Sequence, residues 1–421
     1  MIAQLPLPLQ NEYWSTNPNI QHKAAKAILK SGLPFAEAVQ FIKQGRTYST
    51  SVQRGFLKWD RSTPEGIQLF ALIFIPYDYT PEKKWPVRVM LHGDISHKDA
   101  FNVFRFIDTT LEAYNKVEEI RIYPSGYFAA RWYYKIQYEN MMYLLNRVKQ
   151  QYNMDENRVS LGGFSDGGTG VYAFSNYDVT PYSCFLSYIG SCGSLKVLGT
   201  RQVYFNNFRN KPMFIENGKL DQTFPPSVVL PYVNAILQLN NAASFMMIDS
   251  CDHTLRWIPQ YADTINHFIS YHPRNPYPKH LVWQTESAAI FNRNHWVLIN
   301  GIGKSPSNAL SLIDYNEVIT GGQYVPAFRR DSLAAIIDVT ATGNTIEVLT
   351  RNVTKYTLLL SAGQFDFSAP FKIITNNMLS FEGVLQPQVQ SLLKWNQLDN
   401  DRTMLFAAEI ELVPGKLYGQ K

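Results

Sequence analysis

The stretch Gly163-Phe164-Ser165-Asp166-Gly167 constrains this chain more than any other, because of the segments on either side of it. Arg158-Val159-Ser160-Leu161-Gly162-Gly163 reads as a short buried strand, and Gly167-Gly168-Thr169-Gly170-Val171-Tyr172-Ala173-Phe174 as the small-residue start of a helix. A serine between glycines at a strand-to-helix turn has a strained backbone that lifts its hydroxyl clear of the sheet, so the flanking side chains must be small. The helix beyond it aims its N-terminal N–H groups and positive dipole end at the same point, which favours a developing anion. The pentapeptide alone arises by chance in long proteins. Two residues further down the chain give it weight.

A serine hydroxyl needs a base, and the base needs an orienting carboxylate. Lys211-Pro212-Met213-Phe214-Ile215-Glu216 is an apolar strand that breaks at Asn217-Gly218 and presents Asp221 just past its end. Ser244-Phe245-Met246-Met247-Ile248 reads as the next strand, and the polar loop after it, Asp249-Ser250-Cys251-Asp252, ends in His253. Asp221 follows Ser165 by 56 residues and His253 follows Asp221 by 32. Each candidate sits past the C-terminal end of its own strand, where open α/β sheets bind ligands. Taken singly, Asp221 would read as a loop cap and His253 as a surface histidine. Together, in this order, the three read as a catalytic triad.

A fourth element is an oxyanion hole. Trp85-Pro86-Val87-Arg88-Val89-Met90-Leu91 is an apolar strand running into His92-Gly93-Asp94. That turn supplies one backbone N–H, near Gly93 or Asp94, and Asp166, the residue after the serine, supplies the other. His92 reads as a structural residue of the loop. His97, His272, His280 and His295 have no partner spacing and read as ordinary polar residues.

Residues 55–272 resemble the α/β-hydrolase superfamily, in particular its dienelactone-hydrolase, esterase-depolymerase and prolyl-oligopeptidase-like branch. The matching pieces are Pro76-Tyr77-Asp78-Tyr79 with Pro81, Lys83-Lys84-Trp85-Pro86 and the Leu-His-Gly strand end, then Asn153, Asp155, Arg158 and Val159 before the serine, and Asn217-Gly218 with Asp221 and Asp252-His253 after it. The resemblance implies a nucleophilic Ser165, a base His253, an acid Asp221 and no cofactor. It departs at Asp166, where the family often carries Met, Gln or Leu. A carboxylate there would oppose an oxyanion, so its side chain is expected to point away or to be held by a cation.

The implied fold class is α/β: a doubly wound, mostly parallel sheet with an N-terminal helical hairpin and a C-terminal all-β, sandwich-like domain. The divisions fall at 1–50 for the helical extension, 51–275 for the catalytic domain and 276–421 for the β-rich domain. Residues 20–44 carry helical periodicity in two halves, broken at Ser31-Gly32-Leu33-Pro34, and are expected to pack on the main domain. Residues 55–59 and 67–75, joined by Thr63-Pro64-Glu65-Gly66, form the antiparallel hairpin that precedes the parallel sheet. Beyond the proline-rich junction at Tyr271–Pro278 come short strands at 295–299, 334–339, 345–349, 356–360, 371–374 and 405–412, and no catalytic constellation. That region is expected to pack beside the catalytic domain and shape one wall, or to be a carbohydrate- or protein-binding module.

Composition excludes several classes. The 45% hydrophobic and 17% charged content describes a large core rather than disorder. A net charge of +5 with no basic run argues against nucleic acid, and no apolar run is long enough to span a membrane. Three cysteines, Cys184, Cys192 and Cys251, make no disulfide framework; free buried thiols are the expectation, with a Cys192–Cys251 bridge the alternative. No zinc or haem spacing occurs, so no metal is expected. Met1–Pro6 lacks the regions of a signal peptide. This suits a cytoplasmic protein, or a periplasmic or secreted one if a leader precedes the sequence.

Between the oxyanion strand and the serine lies the aromatic cluster Tyr127-Phe128-Ala129-Ala130-Arg131-Trp132-Tyr133-Tyr134. Tyr127 and Trp132 are candidates to stack an aryl or sugar ring and Arg131 to hold a carboxylate; the alternative is a packed patch under the loop. The chemistry implied is cleavage of carboxylic esters, small or linked to polysaccharide, through an acyl-serine. The segment before the catalytic region is too short for a peptide-gating β-propeller, which sets ester above peptide substrates. A serine peptidase and a non-catalytic binding protein on the same scaffold are the alternatives. Oligomeric state is not legible.

Overall fold

The computed structural model describes residues 5–304, 315–328 and 333–418 of the 421-residue chain; Met1–Gln4, part of the N-terminal stretch without signal-peptide character, lie outside them. The chain divides into two compact units, one of residues 50–275 with 313–332, the other of residues 1–49, 276–312 and 333–421. Three helices come first, α1 (Leu7–Tyr13), α2 (Pro18–Lys30) and α3 (Phe35–Gln44). They belong to the second unit.

The first unit is built on an eight-stranded sheet: β1 (Gly55–Ser62), β2 (Gln68–Ile75), β3 (Trp85–Leu91), β4 (Ile120–Pro124), then after α4 (Lys135–Gln151) β5 (Met154–Phe164), after α5 (Asp166–Tyr177) β6 (Cys184–Tyr188), after the single turn α6 (Leu195–Leu198) β7 (Met213–Gly218), and after α7 (Pro226–Leu239) β8 (Ala243–Ile248), with α8 (Ile258–Tyr271) last. Its order is β1-β2-β4-β3-β5-β6-β7-β8. β1 and β2 form the expected antiparallel hairpin and β2 meets β4 antiparallel; β4, β3, β5, β6, β7 and β8 then run parallel. Strands covered on both faces should be apolar throughout rather than alternating. β6 and β7 are buried at every position and β2 at every position but its first; β2 is apolar beyond Gln68, whereas β6 carries a buried Ser187 and β7 a buried Glu216 and Asn217. The C-terminal ends of β3, β5, β6, β7 and β8 therefore open on one edge of the sheet.

α5 seats directly on that sheet. A Cβ on Gly167 would overlap the Leu91 carbonyl at the end of β3, and one on Gly168 would approach the Tyr188 carbonyl at the end of β6 to 2.6 Å. Gly167 and Gly168 are thus required by close helix–sheet contact, and Gly170 by the Trp132 side chain against it.

The second unit has β9 (His280–Thr285), β10 (Arg293–Asn294) and β11 (Val297–Ile302); β12 (Glu317–Thr320) and β13 (Gln323–Pro326), next in the chain, pair as a hairpin and belong to the first unit. The second unit continues with β14 (Ala335–Thr342), β15 (Thr345–Arg351), β16 (Val353–Leu360), β17 (Phe371–Thr375), β18 (Met378–Gly383), α9 (Val389–Asp399) and β19 (Ala408–Leu412). Two sheets result, β18-β17-β15-β14-β9 and β10-β11-β16-β19. The buried Tyr356 hydroxyl of β16 meets Thr375 Oγ1 of β17 at 2.6 Å, tying one sheet to the other. Among the described strands there, β15 and β17 are the pair that runs parallel.

Two expected divisions differ from this arrangement. The N-terminal helices share a core with α9 rather than with the main sheet: Tyr13, Ala24, Ala25, Ile28, Ala38, Phe41 and Ile42 pack with Leu392, Leu393 and Leu405, and the Tyr13 hydroxyl donates to Asn396 Oδ1 at 2.8 Å. The boundary at 276 is also crossed, because the β12–β13 hairpin packs on the first unit; the Tyr232 hydroxyl of α7 donates to the Ala327 carbonyl and the rings of Phe205, Tyr232 and Phe328 cluster. Among the described residues no helix is long and apolar enough to cross a membrane.

Candidate active site

Ser165 caps α5 immediately after β5, with φ 55° and ψ −120°. A serine pays for this left-handed conformation in strain. Its N–H donates to the Tyr188 carbonyl at 3.0 Å and its carbonyl accepts from Thr169 N–H at 2.9 Å, so the turn is held on both sides while Oγ stands free of the sheet.

His253 Nε2 lies 2.9 Å from Ser165 Oγ, and its Nδ1 lies 2.8 Å from Asp221 Oδ2. A carboxylate can only accept, so Nδ1 carries the proton and Nε2 offers its lone pair to the serine hydroxyl. Asp221 is buried, and its other oxygen accepts the N–H groups of Thr223 and Phe224, both at 2.8 Å. The aspartate loop and the histidine loop are interlocked: Lys219 N–H donates to the Ile248 carbonyl and Leu220 N–H to the Cys251 carbonyl, both at 2.9 Å. The Phe224 ring packs edge-on to the imidazole at 5.5 Å.

The His92-Gly93-Asp94 turn lies against the serine. A Cβ on Gly93 would sit 3.0 Å from Ser165 Cβ and 3.1 Å from Phe164 Cε2, so a larger residue here would make those side chains give way by a few tenths of an ångström. Asp94 follows at φ 47°. His92 is buried, its Nε2 accepts from Gly126 N–H at 2.9 Å and its Nδ1 meets the Gly93 carbonyl at 2.6 Å. Burial holds its pKa down to about 4, so it stays neutral and structural. The Asp166 N–H, at the first turn of α5, has no intrahelical acceptor, and neither it nor the Asp94 N–H takes an acceptor from the described residues. The Asp166 carboxylate accepts the Ile95 N–H at 3.1 Å. Of the two arrangements expected for this side chain, pointing away or being held by a cation, no cation partner occurs among the described residues; its partner is a backbone donor.

Of the aromatic cluster, Tyr127 and Trp132 are buried, which removes them as stacking surfaces. The Trp132 indole donates to the His92 carbonyl at 2.9 Å and the Tyr127 hydroxyl to the Gln68 carbonyl at 2.9 Å, so both are packing residues under the loop. Arg131 is partly exposed, forms no ion pair with a described carboxylate, and lies over the Phe128 ring at 4.8 Å. The exposed ring here is Phe128, whose N–H donates to the His97 carbonyl. His97 in turn contacts Asp94 Oδ2 at 2.9 Å, as does Arg105 at 3.1 Å; with Ser96, the largest contributor, they hold the Asp94 carboxyl down to about 2. Glu216, at the end of β7, is fully buried with neither carboxyl oxygen partnered among the described residues. Burial, with the Asp221 charge adding, raises its pKa to about 8. The three cysteines are free and buried, and among the described residues no group of His, Cys, Asp and Glu could hold a metal ion.

Strand order, a left-handed serine between β5 and α5, and a histidine and aspartate past β8 and β7 define the first unit as an α/β-hydrolase fold. No family model matches the chain, and no curated protein does so by sequence. Among solved structures it is similar to a thermostable esterase, at 18% identity and a TM-score of 0.42 over 52% of this chain and 63% of that one. It is also similar to esterase 2 of Thermogutta terrifontis, both phosphorylated by paraoxon (14% identity, TM-score 0.42, 55% of this chain and 100% of that one) and with propionate bound (14% identity, TM-score 0.40, 52% and 97%). The chain thus spans under two thirds of the first of these.

Proposed function

We propose that this protein is a serine hydrolase that cleaves carboxylic esters through an acyl-serine. The observation that carries the reading is the unbroken hydrogen-bonded chain from Ser165 Oγ through His253 to the buried Asp221. His253 Nε2 takes the hydroxyl proton as Ser165 Oγ attacks the acyl carbon, and Asp221 stabilises the imidazolium. The tetrahedral oxyanion is received by the backbone N–H groups of Asp166 and of Asp94 in the Gly93-Asp94 turn, donors worth about 3 kcal/mol of barrier each. The imidazolium returns its proton to the departing alkoxide. Water, deprotonated by the same nitrogen, then releases the acid.

Aryl, acetyl and carbohydrate-linked esters suit the exposed Phe128 and the partly exposed Arg131 on the loop beside the oxyanion turn. The test is turnover of p-nitrophenyl acetate against an aminoacyl anilide, with Ser165→Ala as control. Ester turnover abolished in the variant supports the reading. Faster anilide turnover would make the protein a peptidase. No turnover of either, with Ser165 inert to a fluorophosphonate, would leave a binding protein on a hydrolase scaffold.

A further inference from the structure

The two N–H donors of the proposed oxyanion hole come from different segments, the turn after β3 and the first turn of α5. Their alignment matters to a fraction of an ångström, since a displacement of about 1 Å costs on the order of a hundredfold in rate. Gly93 fixes how closely the turn approaches but not how its peptides are rotated. Asp94, at φ 47°, occupies a conformation uncommon for a non-glycine residue. Two side chains hold it. Asn102, fully buried, donates Nδ2 to the Asp94 carbonyl at 2.7 Å and to the Gly126 carbonyl at 3.4 Å. Asp166 accepts the Ile95 N–H at 3.1 Å. The carbonyl of Asp94 and the N–H of Ile95 are the two ends of one planar peptide. That plane is pinned at both ends, and one pin belongs to the residue whose own N–H is the second donor.

Resting on the serine-hydrolase reading above, we infer that Asp166 is a positioning residue: its carboxylate cross-links the two halves of the oxyanion hole through the Ile95 N–H, with Asn102 holding the opposite end of the same peptide. This accounts for a carboxylate beside the nucleophile. Its role needs a hydrogen-bond acceptor for the Ile95 N–H, not a charge.

The experiment compares Asp166→Ala, Asp166→Leu and Asp166→Asn in the full chain, with rates taken per Ser165 titrated by an acylation burst. An aryl trifluoromethyl ketone, whose hemiketal places an oxyanion in the hole, reads the hole directly. Alanine and leucine should lower kcat about ten- to a hundredfold, with KM changing far less, and weaken the ketone by a similar factor. Asparagine keeps an amide oxygen for Ile95 and should stay within about threefold of wild type on both readouts. Leucine keeps aspartate's branching and its number of side-chain heavy atoms, so it covers the case in which alanine fails to fold. Wild-type kcat and ketone affinity in the folded alanine or leucine variant would overturn the inference. An asparagine variant as poor as either would also overturn it, because charge rather than the acceptor would then matter. Failure of the parent reading is separate: it would show as a wild-type protein with no burst at all.

Discussion

The two units use left-handed backbone for different ends. In the β-rich unit the described non-glycine residues with positive φ are Phe291, His295, Asn352, Asn376, Asn377 and Asn400. The asparagines turn the chain between β15 and β16, between β17 and β18, and after α9, where asparagine tolerates this conformation cheaply. Phe291 and His295 flank the short β10, and their carbonyls are capped by the Trp283 indole and the Arg293 guanidinium. In the sheet unit the corresponding residues are Asp94, Ser165 and Ile189, each just past a parallel strand, β3, β5 and β6. None is an asparagine, and a β-branched isoleucine is a true outlier there. Strain of about 1–3 kcal/mol at each such residue persists only because the surrounding packing dictates it. One unit bends its chain at turns. The other aims groups at a point.

The sharpest way to break that contrast is to remove the aimed groups. Ser165→Ala and His253→Ala should each lower ester kcat about 10⁴-fold or more, and Asp221→Asn less, because the base survives misoriented. Asn377→Ala, at a left-handed turn in the other unit, should leave kcat unchanged. Near-full activity in Asp221→Asn would shift the acid's role to Glu216, Asp249 or Asp252.

Stability should follow the same division. Gly167→Ala drives a methyl into the Leu91 carbonyl where β3 meets α5, and should cost more than about 3 kcal/mol or prevent folding. Gly343→Ala, at φ 56° with nothing within 4 Å, should cost only about 1 kcal/mol in denaturant unfolding. Equal costs would mean that close packing at the serine turn is not what selects its glycines.

Glu216 gives the contrast a pH dependence. Its pKa is raised from 4.5 in the unfolded chain to about 8. The folded state therefore holds the proton more tightly, and its contribution is complete below about pH 4.5 and lost as pH rises to about 8. Glu216→Gln should match wild type near pH 4.5 and exceed it by up to a few kcal/mol at pH 9, read from urea midpoints. A variant less stable than wild type at pH 9 would show that the buried carboxylate has a stabilising partner. The smallest effect is Asn377→Gly, expected within about 0.5 kcal/mol of wild type because the turn already suits either residue.

How much of this is legible in the sequence depends on whether a residue's role is local. Ser165, Asp221 and His253 each come after an apolar strand, and the strand-to-loop change that marks them is visible within about ten residues. The apolar stretches of β3 and β7 are visible too, although Arg88 interrupts the first and Glu216 and Asn217 end the second. Trp132 and Tyr127 read as a substrate wall in the sequence, and the structure buries both, because exposure is not local: Trp132 is covered by Gly126, Gly170 and the His92 carbonyl, all from other segments. Asn102 carries no signal, since its place at the Asp94 carbonyl depends on how a patternless loop closes. Periodicity shows which faces of α2 and α3 are apolar, but it cannot name α9 as what covers them.

That last pairing bears on how the chain is made. The helices α1–α3 leave the ribosome before either sheet unit, yet Leu392, Leu393 and Leu405, which complete their core, are synthesised more than three hundred residues later. At about 5–20 residues per second, the apolar stripe of α2 and α3 waits on the order of tens of seconds for its cover. During that interval the first unit can collapse around β5 and α5 while the nascent N-terminal helices still present Ile28, Phe41 and Ile42 to whatever is nearby. Chaperones that shield short amphipathic helices at the ribosome are therefore expected to raise soluble yield more for this chain than for a variant permuted to place α1–α3 directly after β19.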